Sequence, residues 1–492
     1  MTALAAPVST APGSARPPAA RRRTSVGWLR ERGMGATVLV AAISTAFGVA
    51  LLSATGYLGA ALTANPLYGG SETLALVIAI LGVILLAVAV YVAAIVTANT
   101  FATIIAGRTR RIALMRLIGA TARSQRSEVA RQGLIVGAIG ALIGLVLGTA
   151  GTAAALPLVD RLAGASTEFS VVQPVLLVPA LGVALTTWAA AWTGSRRVLT
   201  VTPLQALGGA VEQSRAELSA RRGRNVGALV LGIAGGALMV GGIVLGMLTP
   251  AGVVVAFVGG LLSFTGVTLG AASLMPPLLR ATGRLFGKSV AARLAAENAV
   301  RYPERSSRMA IGVVMGVALV VMFAVASESV KALVAVSGGG EVDEAFNAMM
   351  DSFSGVMMAL VAVSAVIAAV GLVNLLTIGV VQRRRELGLL RALGLSSAGI
   401  RRMVLIEAAH ITVTALVFGL VLGALYGWVG AQSLLGSVPI PPMWSSPTFV
   451  APAIPWLPAA VIVVATAVLT LVAAVAPTRI ATRTAPVEAL AD

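Results

Sequence analysis

Apolar residues in this chain come in runs far longer than a soluble core needs, separated by short polar stretches. About 20 consecutive apolar residues let a helix cross the ~30 Å hydrocarbon core of a bilayer. Ten runs reach that length, at 36–58, 73–106, 133–158, 173–195, 226–247, 251–279, 309–328, 351–381, 404–431 and 456–477. The pattern predicts an all-α polytopic membrane protein of about ten transmembrane helices. The second and eighth runs exceed what a bilayer needs, so their helices are expected to tilt or to continue past the membrane at their basic ends.

The polar stretches between the runs orient the stack. Segments 1–35, 107–131, 196–225, 280–308, 382–402 and 478–492 hold 34 of the 36 Lys and Arg residues, leaving Arg161 and Lys331 for the other side. Positively charged loops resist translocation. The expected arrangement is therefore a multi-pass protein of the cell (cytoplasmic) membrane with both termini inside. The outer loops, about 59–72, 159–172, 329–350 and 432–455, are too short for a folded domain of ~50 residues.

Composition agrees: 58% of residues are hydrophobic and 11% charged, against roughly 25% charged in soluble domains. A net charge of +18 would suggest nucleic acid in a soluble chain. Here the cations sit between apolar runs, so membrane topology accounts for them and no nucleic-acid partner is expected. Residues 1–35 read as a disordered basic tail rich in Ala, Pro and Ser. Arg21–Arg23 precede an apolar run too long for a signal-peptide core, which predicts a retained first helix. With no Cys there is no disulfide framework and no thiolate metal site.

The chain also repeats itself. Residues 99–119 read NTFATIIAGRTRRIALMRLIG and residues 374–394 read NLLTIGVVQRRRELGLLRALG, 275 positions on. Asn99 answers Asn374, Arg110 answers Arg385, Arg116 answers Arg391 and Gly119 answers Gly394. At the same offset GLVLG recurs at Gly144–Gly148 and Gly419–Gly423. A duplicated unit is predicted: a tail at 1–35, a first four-helix unit at 36–210, a linker with two extra transmembrane helices at 211–289, and a second four-helix unit at 290–492.

In each repeated stretch, apolar residues at three-residue spacing (Ile112, Met115 and Ile118; Leu387, Leu390 and Leu393) leave Arg110, Arg111 and Arg116, or Arg385, Glu386 and Arg391, open to water or a partner. Each stretch reads as a short amphipathic helix at the inner membrane edge. A plain anchor of snorkelling arginines would use the same pattern. Asn99 and Asn374 are expected to hydrogen-bond between helices, and the Gly144/Gly148 and Gly419/Gly423 pairs to let helices pack closely.

Chemistry of the chain's own is sparse. The segment Gly283 to Ser289 mimics a phosphate loop, but it has three residues between its glycines where four are needed, and no strand before it. The sole histidine, His410, lies one turn after Glu407; one Glu-x-x-His supplies too few ligands for a carboxylate-bridged metal centre. Catalytic, cofactor-binding and metal residues are therefore expected to be absent, with Glu407 serving packing or gating and His410 standing as a core or interfacial histidine.

The stretch Glu386-Leu-Gly-Leu-Leu-Arg-Ala-Leu-Gly394 after an Asn, an apolar run and an Arg cluster resembles the signature of FtsX-like/MacB-like permeases of ABC transporters. The likeness extends to Glu407 and to the endings TPLQALGGA (202–210) and TAPVEALAD (484–492). The resemblance implies four-helix permease units whose short coupling helices dock on ATP-binding subunits. Two units would serve two such subunits, with Arg110, Arg111, Arg116, Gly119, Arg385, Glu386, Arg391 and Gly394 at the docking sites. ATP and Mg would be held by those partners, and none in this chain. The implied function is export, or membrane extraction, of an amphipathic, peptide or lipid-like substrate. Two other classes stay open: a non-transporting ATP-gated regulator of the FtsX type, and an ion-coupled secondary transporter built from parallel repeats. Few intramembrane carboxylates weigh against the last.

Overall fold

A computed structural model describes residues 34–64, parts of 76–95, 121–163, 169–195, 222–283, 285, 289–301, 303–337, 384–439 and 447–483. Among them there is no strand. The helices are α1 (Met34–Ala64), α2 (Ala122–Ala163), α3 (Leu177–Gly194), α4 (Arg222–Gly246), α5 (Gly252–Gly283), α6 (Val290–Arg301), α7 (Pro303–Ser337), α8 (Arg384–Ala392), α9 (Ser397–Leu435) and α10 (Trp456–Arg483). Residues 76–95, where described, are helical as well.

Seven helices are long and apolar enough to cross a membrane: α1, α2, α3 with its short 3-10 lead-in, α4, α5, α7 and α9; α10 contributes a shorter apolar stretch, Trp456–Val472. The chain is an all-α, multi-pass membrane protein. Of the ten apolar runs in the sequence, 351–381 lies outside the described residues and 73–106 is described only in part.

Two helices differ from the spans read in the sequence. α2 starts at Ala122 and α9 at Ser397, well before the apolar runs at 133 and 404. With 42 and 39 residues they are about 60 Å long at 1.5 Å per residue, roughly twice the hydrocarbon core. Their first two to three turns are polar and carry Glu128, Arg131, Arg401 and Arg402, so hydropathy alone does not join them to the apolar part.

The helices pack in a repeated manner. α1 lies on α2 and α2 on α3; α7 lies on α9 and α9 on α10. One apolar core takes Phe47 and Leu51 from α1, Phe264, Met275 and Leu279 from α5, and a long face of α7 from Met309 to Val325, closed by Ile411 and Ala415 of α9. α4 and α5 form a hairpin through a tight turn at 247–251. Glycines bring their backbones together: a Cβ on Gly259 would meet the Gly235 carbonyl oxygen at 2.7 Å, and one on Gly266 the Ala228 carbonyl oxygen at 2.8 Å. The hairpin packs on α9, and α5 also packs on α7 and α6.

Candidate functional site

At the basic end of the bundle, α8 is joined to α9 without a flexible loop. Glu386 stands in the first turn of α8 and Arg391 in its last, each at the end of the helix dipole that favours its charge. Gly394 has φ of 98°, a left-handed conformation that costs a side-chain-bearing residue free energy. Its N–H donates to the Arg391 carbonyl and the next N–H, from Leu395, reaches back to the Leu390 carbonyl, both at 3.0 Å. This is the paired bonding of a Schellman cap. Ser396 then caps α9, its Oγ accepting from the Gly399 N–H at 3.1 Å. Helix stop and helix start are therefore three residues apart, and both ends are satisfied.

The apolar side of this junction is a small cluster: Leu390 and Leu395 against Ile400, Met403 and Val404 of α9, with Ala295 and Leu294 of α6. Opposite it, Leu389 and Leu393 are 52% and 76% exposed, beside exposed Glu386 and half-buried Arg391. α8 thus shows Leu389, Glu386 and Arg391 toward its surroundings while Leu390 packs against the cluster of α9 and α6. Arg385 lies in the first turn of α8.

The first copy of the repeated stretch, with Asn99, Arg110, Arg111, Arg116 and Gly119, lies outside the described residues, as does Asn374. Its sequel is described. Thr121 Oγ1 accepts from the Ser124 N–H at 3.1 Å, the same cap as Ser396 to Gly399, 275 positions earlier. α2 therefore starts as α9 does, immediately after the basic stretch.

The glycine pairs sit in matching contacts. A Cβ on Gly144 would collide with the Ala42 carbonyl of α1 and lie 2.7 Å from Thr45 Cβ; one on Gly419 would lie 3.1 Å from the Val314 carbonyl of α7 and 2.9 Å from Val317 Cβ. Gly148 meets Ala46 and Val49, and Gly423 meets Ala318 and Val321. Between the copies the glycines move by 275 positions and every partner by 272, so one helix–helix contact has been built twice.

Glu407 and His410 are buried on α9, at 3% and 1% exposure. His410 Nε2 lies 2.7 Å from the Leu279 carbonyl near the end of α5, and the Thr414 and Thr282 hydroxyls share a hydrogen bond at 2.6 Å. Among the described residues no group of three or more His, Cys, Asp or Glu could hold a metal ion. Gly283 closes α5, and most of the phosphate-loop mimic after it lies outside the described residues.

Two features had no counterpart in the sequence reading. α6 falls within the basic connecting segment 280–308; its alanines 292, 295 and 299 form a buried stripe, too modest an apolar signal to separate from its charged neighbours. Arg126 lies over the Trp192 ring at 3.8 Å and donates its Nε–H to the Trp192 carbonyl at 3.3 Å, tying α2 to α3 at the basic end.

Comparison with known proteins assigns the family. The model described as "FtsX-like permease C-terminal" matches twice, at residues 83–203 and 358–486, together 250 of the 492 residues. The two matches begin 275 positions apart, the offset of the repeat. "ABC transporter permease YtrF" of Bacillus subtilis (strain 168) is 37% identical over 60 residues, which is 12% of this chain and 14% of that relative's length. With the signature at 374–394 inside the second match and duplicated caps and glycine contacts on the helices that follow each basic stretch, this chain belongs to the FtsX-like permease family.

Proposed function

We propose that this chain is the permease subunit of an ABC transporter, in which separate ATP-binding subunits hydrolyse ATP and the permease moves an amphipathic, peptide or lipid-like molecule out of the membrane. The observation that carries the reading is the α8–α9 junction. A short helix with exposed Leu389, Leu393 and Glu386 is fixed without slack to the start of a 39-residue helix. A push on α8 is thereby delivered along α9. The equivalent stretch before α2 is the second docking site, so one permease serves two ATP-binding subunits, with the basic ends and both termini in the cytoplasm of the cell. ATP and Mg belong to those partners. Closure of the two ATPases pulls on 108–121 and 383–396 and rocks the unit at 36–210 against the unit at 290–492. Asn99 and Asn374 hold helices together beside the docking stretches.

The test is affinity purification of the tagged chain from its native membrane in mild detergent, with the stoichiometry of what co-purifies. Two ATP-binding subunits per permease is the expected result. Arg391→Ala together with Arg385→Ala and Leu389→Ala should then abolish substrate-stimulated ATPase activity; unchanged stimulation and transport sink the assignment. Recovery of no ATPase, with ion-dependent flux in proteoliposomes, replaces the reading by a secondary transporter.

A further inference from the structure

Of the four connections at the end away from the basic segments, the one between α9 and α10 is set apart by its charge. It has none: no charged residue stands between His410 and Arg479. The other three hold Glu72, then Asp160, Arg161 and Glu168, then Lys331, Glu341, Asp343 and Glu344. Trp444, Phe449 and Trp456 lie in or beside the uncharged one. Tryptophan among uncharged residues suits the boundary between hydrocarbon and headgroups better than open water.

The described part of this connection, 447–455, is not helical, yet neighbouring helices meet its backbone. The Thr448 N–H donates to the Gly436 carbonyl at 2.8 Å, and the Thr448 carbonyl accepts from Gln432 Nε2 at 2.9 Å. The Val450 N–H donates to Gln432 Oε1 at 2.7 Å, and the Val450 carbonyl accepts from Trp428 Nε1 at 2.9 Å. The Ala453 N–H donates to Ser329 Oγ of α7 at 3.1 Å. Pro447, Pro452 and Pro455 have no N–H to satisfy. Gln432, buried on α9, thus serves this strap as a neighbouring strand would, giving one bond and accepting one. Irregular backbone beside hydrocarbon is tolerated only where protein meets its polar groups; in water, solvent would meet them.

The side chains left outside are apolar. Phe449 and Trp456 are 67% and 77% exposed, and Ile454 and Leu457 are exposed as well. From Leu457 the exposed residues continue along α10 as Val461, Val464, Val468 and Leu471, one stripe at helical spacing. Ile462, Thr466 and Thr470 are buried on the other side. In a multi-pass membrane protein such a stripe faces lipid, and the strap extends it. Trp456 opens α10, and the first cation after it, Arg479, comes 23 positions on. At 1.5 Å per residue that is about 35 Å, against ~30 Å of hydrocarbon. With Arg479 at one edge of the bilayer, Trp456 stands at the other.

We infer that residues 447–457 form a strap seated in the headgroup boundary of the bilayer, at the end away from the basic segments, with Phe449, Ile454, Trp456 and Leu457 as its contacts to lipid. Gln432 is the positioning residue that makes an irregular segment compatible with that boundary.

The chain has no cysteine, so nitroxide labels can be placed one at a time at Phe449→Cys, Ile454→Cys and Leu457→Cys. The full chain is reconstituted in vesicles of phosphatidylethanolamine and phosphatidylglycerol. Collisions of each label with oxygen, which concentrates in lipid, are compared with collisions with a water-soluble nickel chelate. Val464→Cys in the stripe and Val172→Cys on the charged connection between α2 and α3, both exposed, are the lipid and water references. The expected oxygen-to-nickel ratio at 454 and 457 is several-fold above that at 172 and close to that at 464, with 449 between. Ratios at the three strap positions equal to that at 172 overturn the inference, because a strap in water gives them. Low collision rates with both reagents overturn it too, since a second copy or another protein then covers the strap. Gln432→Leu should sharpen the spectrum at 449 and raise its nickel collisions while the label at 464 is unchanged. An unaltered label at 449 removes Gln432 from the assignment. A change at 464 as well reports a misfolded variant, and the ratios with Gln432 in place then decide.

Discussion

At the scale of single residues, the glycines in the middle of α2 and α9 decide how closely the helices approach. In lipid no hydrophobic force drives helices together, so close backbone approach at small residues does much of the work. A side chain at Gly423 would meet the Ala318 carbonyl at 2.6 Å, and one at Gly430, two turns on, meets nothing within 4 Å. Gly423→Val is therefore expected to cost about 1–3 kcal/mol by overpacking. Gly144→Val should behave alike against Ala42, and Gly430→Ala should be close to neutral. Thermal unfolding in detergent, followed by size-exclusion chromatography, checks the contrast; equal midpoints for Gly423→Val and Gly430→Ala would refute the contact. Position 132 answers position 407 in the repeat, and a glutamine stands there in place of Glu407. The two copies thus keep a polar side chain of one shape and differ in charge.

At the scale of elements, the α8–α9 junction is specified by two helix caps in immediate succession. Its Schellman cap needs a left-handed residue at 394, and Gly is the residue that takes it at least cost. Gly394→Ala should cost about 1–2 kcal/mol and loosen the junction. Hydrogen exchange of the Gly394 to Leu395 amides is then expected to speed up while the middle of α9 stays protected. Unchanged exchange at those two amides would mean that the cap is not what orders the turn. The signals for this element were in the sequence: Glu at the start, Arg at the end, Gly after it, then Ser. The seating of its inner face was not, because Leu390 and Leu395 pack against a cluster that includes Ala295, nearly a hundred positions away. α6 escaped notice for the same reason. An alanine stripe becomes informative only when something packs on it.

At the scale of the whole molecule, the alternation of basic and neutral connections is expected to give opposite ends opposite exposure. Single-cysteine labelling with a membrane-impermeant maleimide in intact cells should modify Val172→Cys, which is exposed on the connection between α2 and α3. It should spare Leu285→Cys, exposed just past α5, until the cells are opened. The reverse pattern would invert the molecule and put the α8 face outside, incompatible with docking of a cytoplasmic ATPase. The arrangement of helices at this scale follows two rules at once. Within each group the contacts repeat with constant offsets, while the linking hairpin breaks the symmetry by attaching along α9 and α7.

The sequence by itself determined the class and most of the apolar helices, and it carries the expected orientation and duplication. Each of these depends on local solvation: apolar side chains choose hydrocarbon, backbone groups close their hydrogen bonds within a helix, and cations stay on one side. Even the paired caps at Thr121 and Ser396 were written in neighbouring residues. What only the tertiary structure decided is which helices meet. His410 finds the Leu279 carbonyl across 131 positions, Tyr91 finds Thr265 across 174, and the extra hairpin packs on α9 and α7. In a membrane all these helix surfaces are similarly apolar, so hydropathy cannot rank partners. The ranking comes from glycine clearances and hydroxyl geometry, which exist only once the helices are side by side.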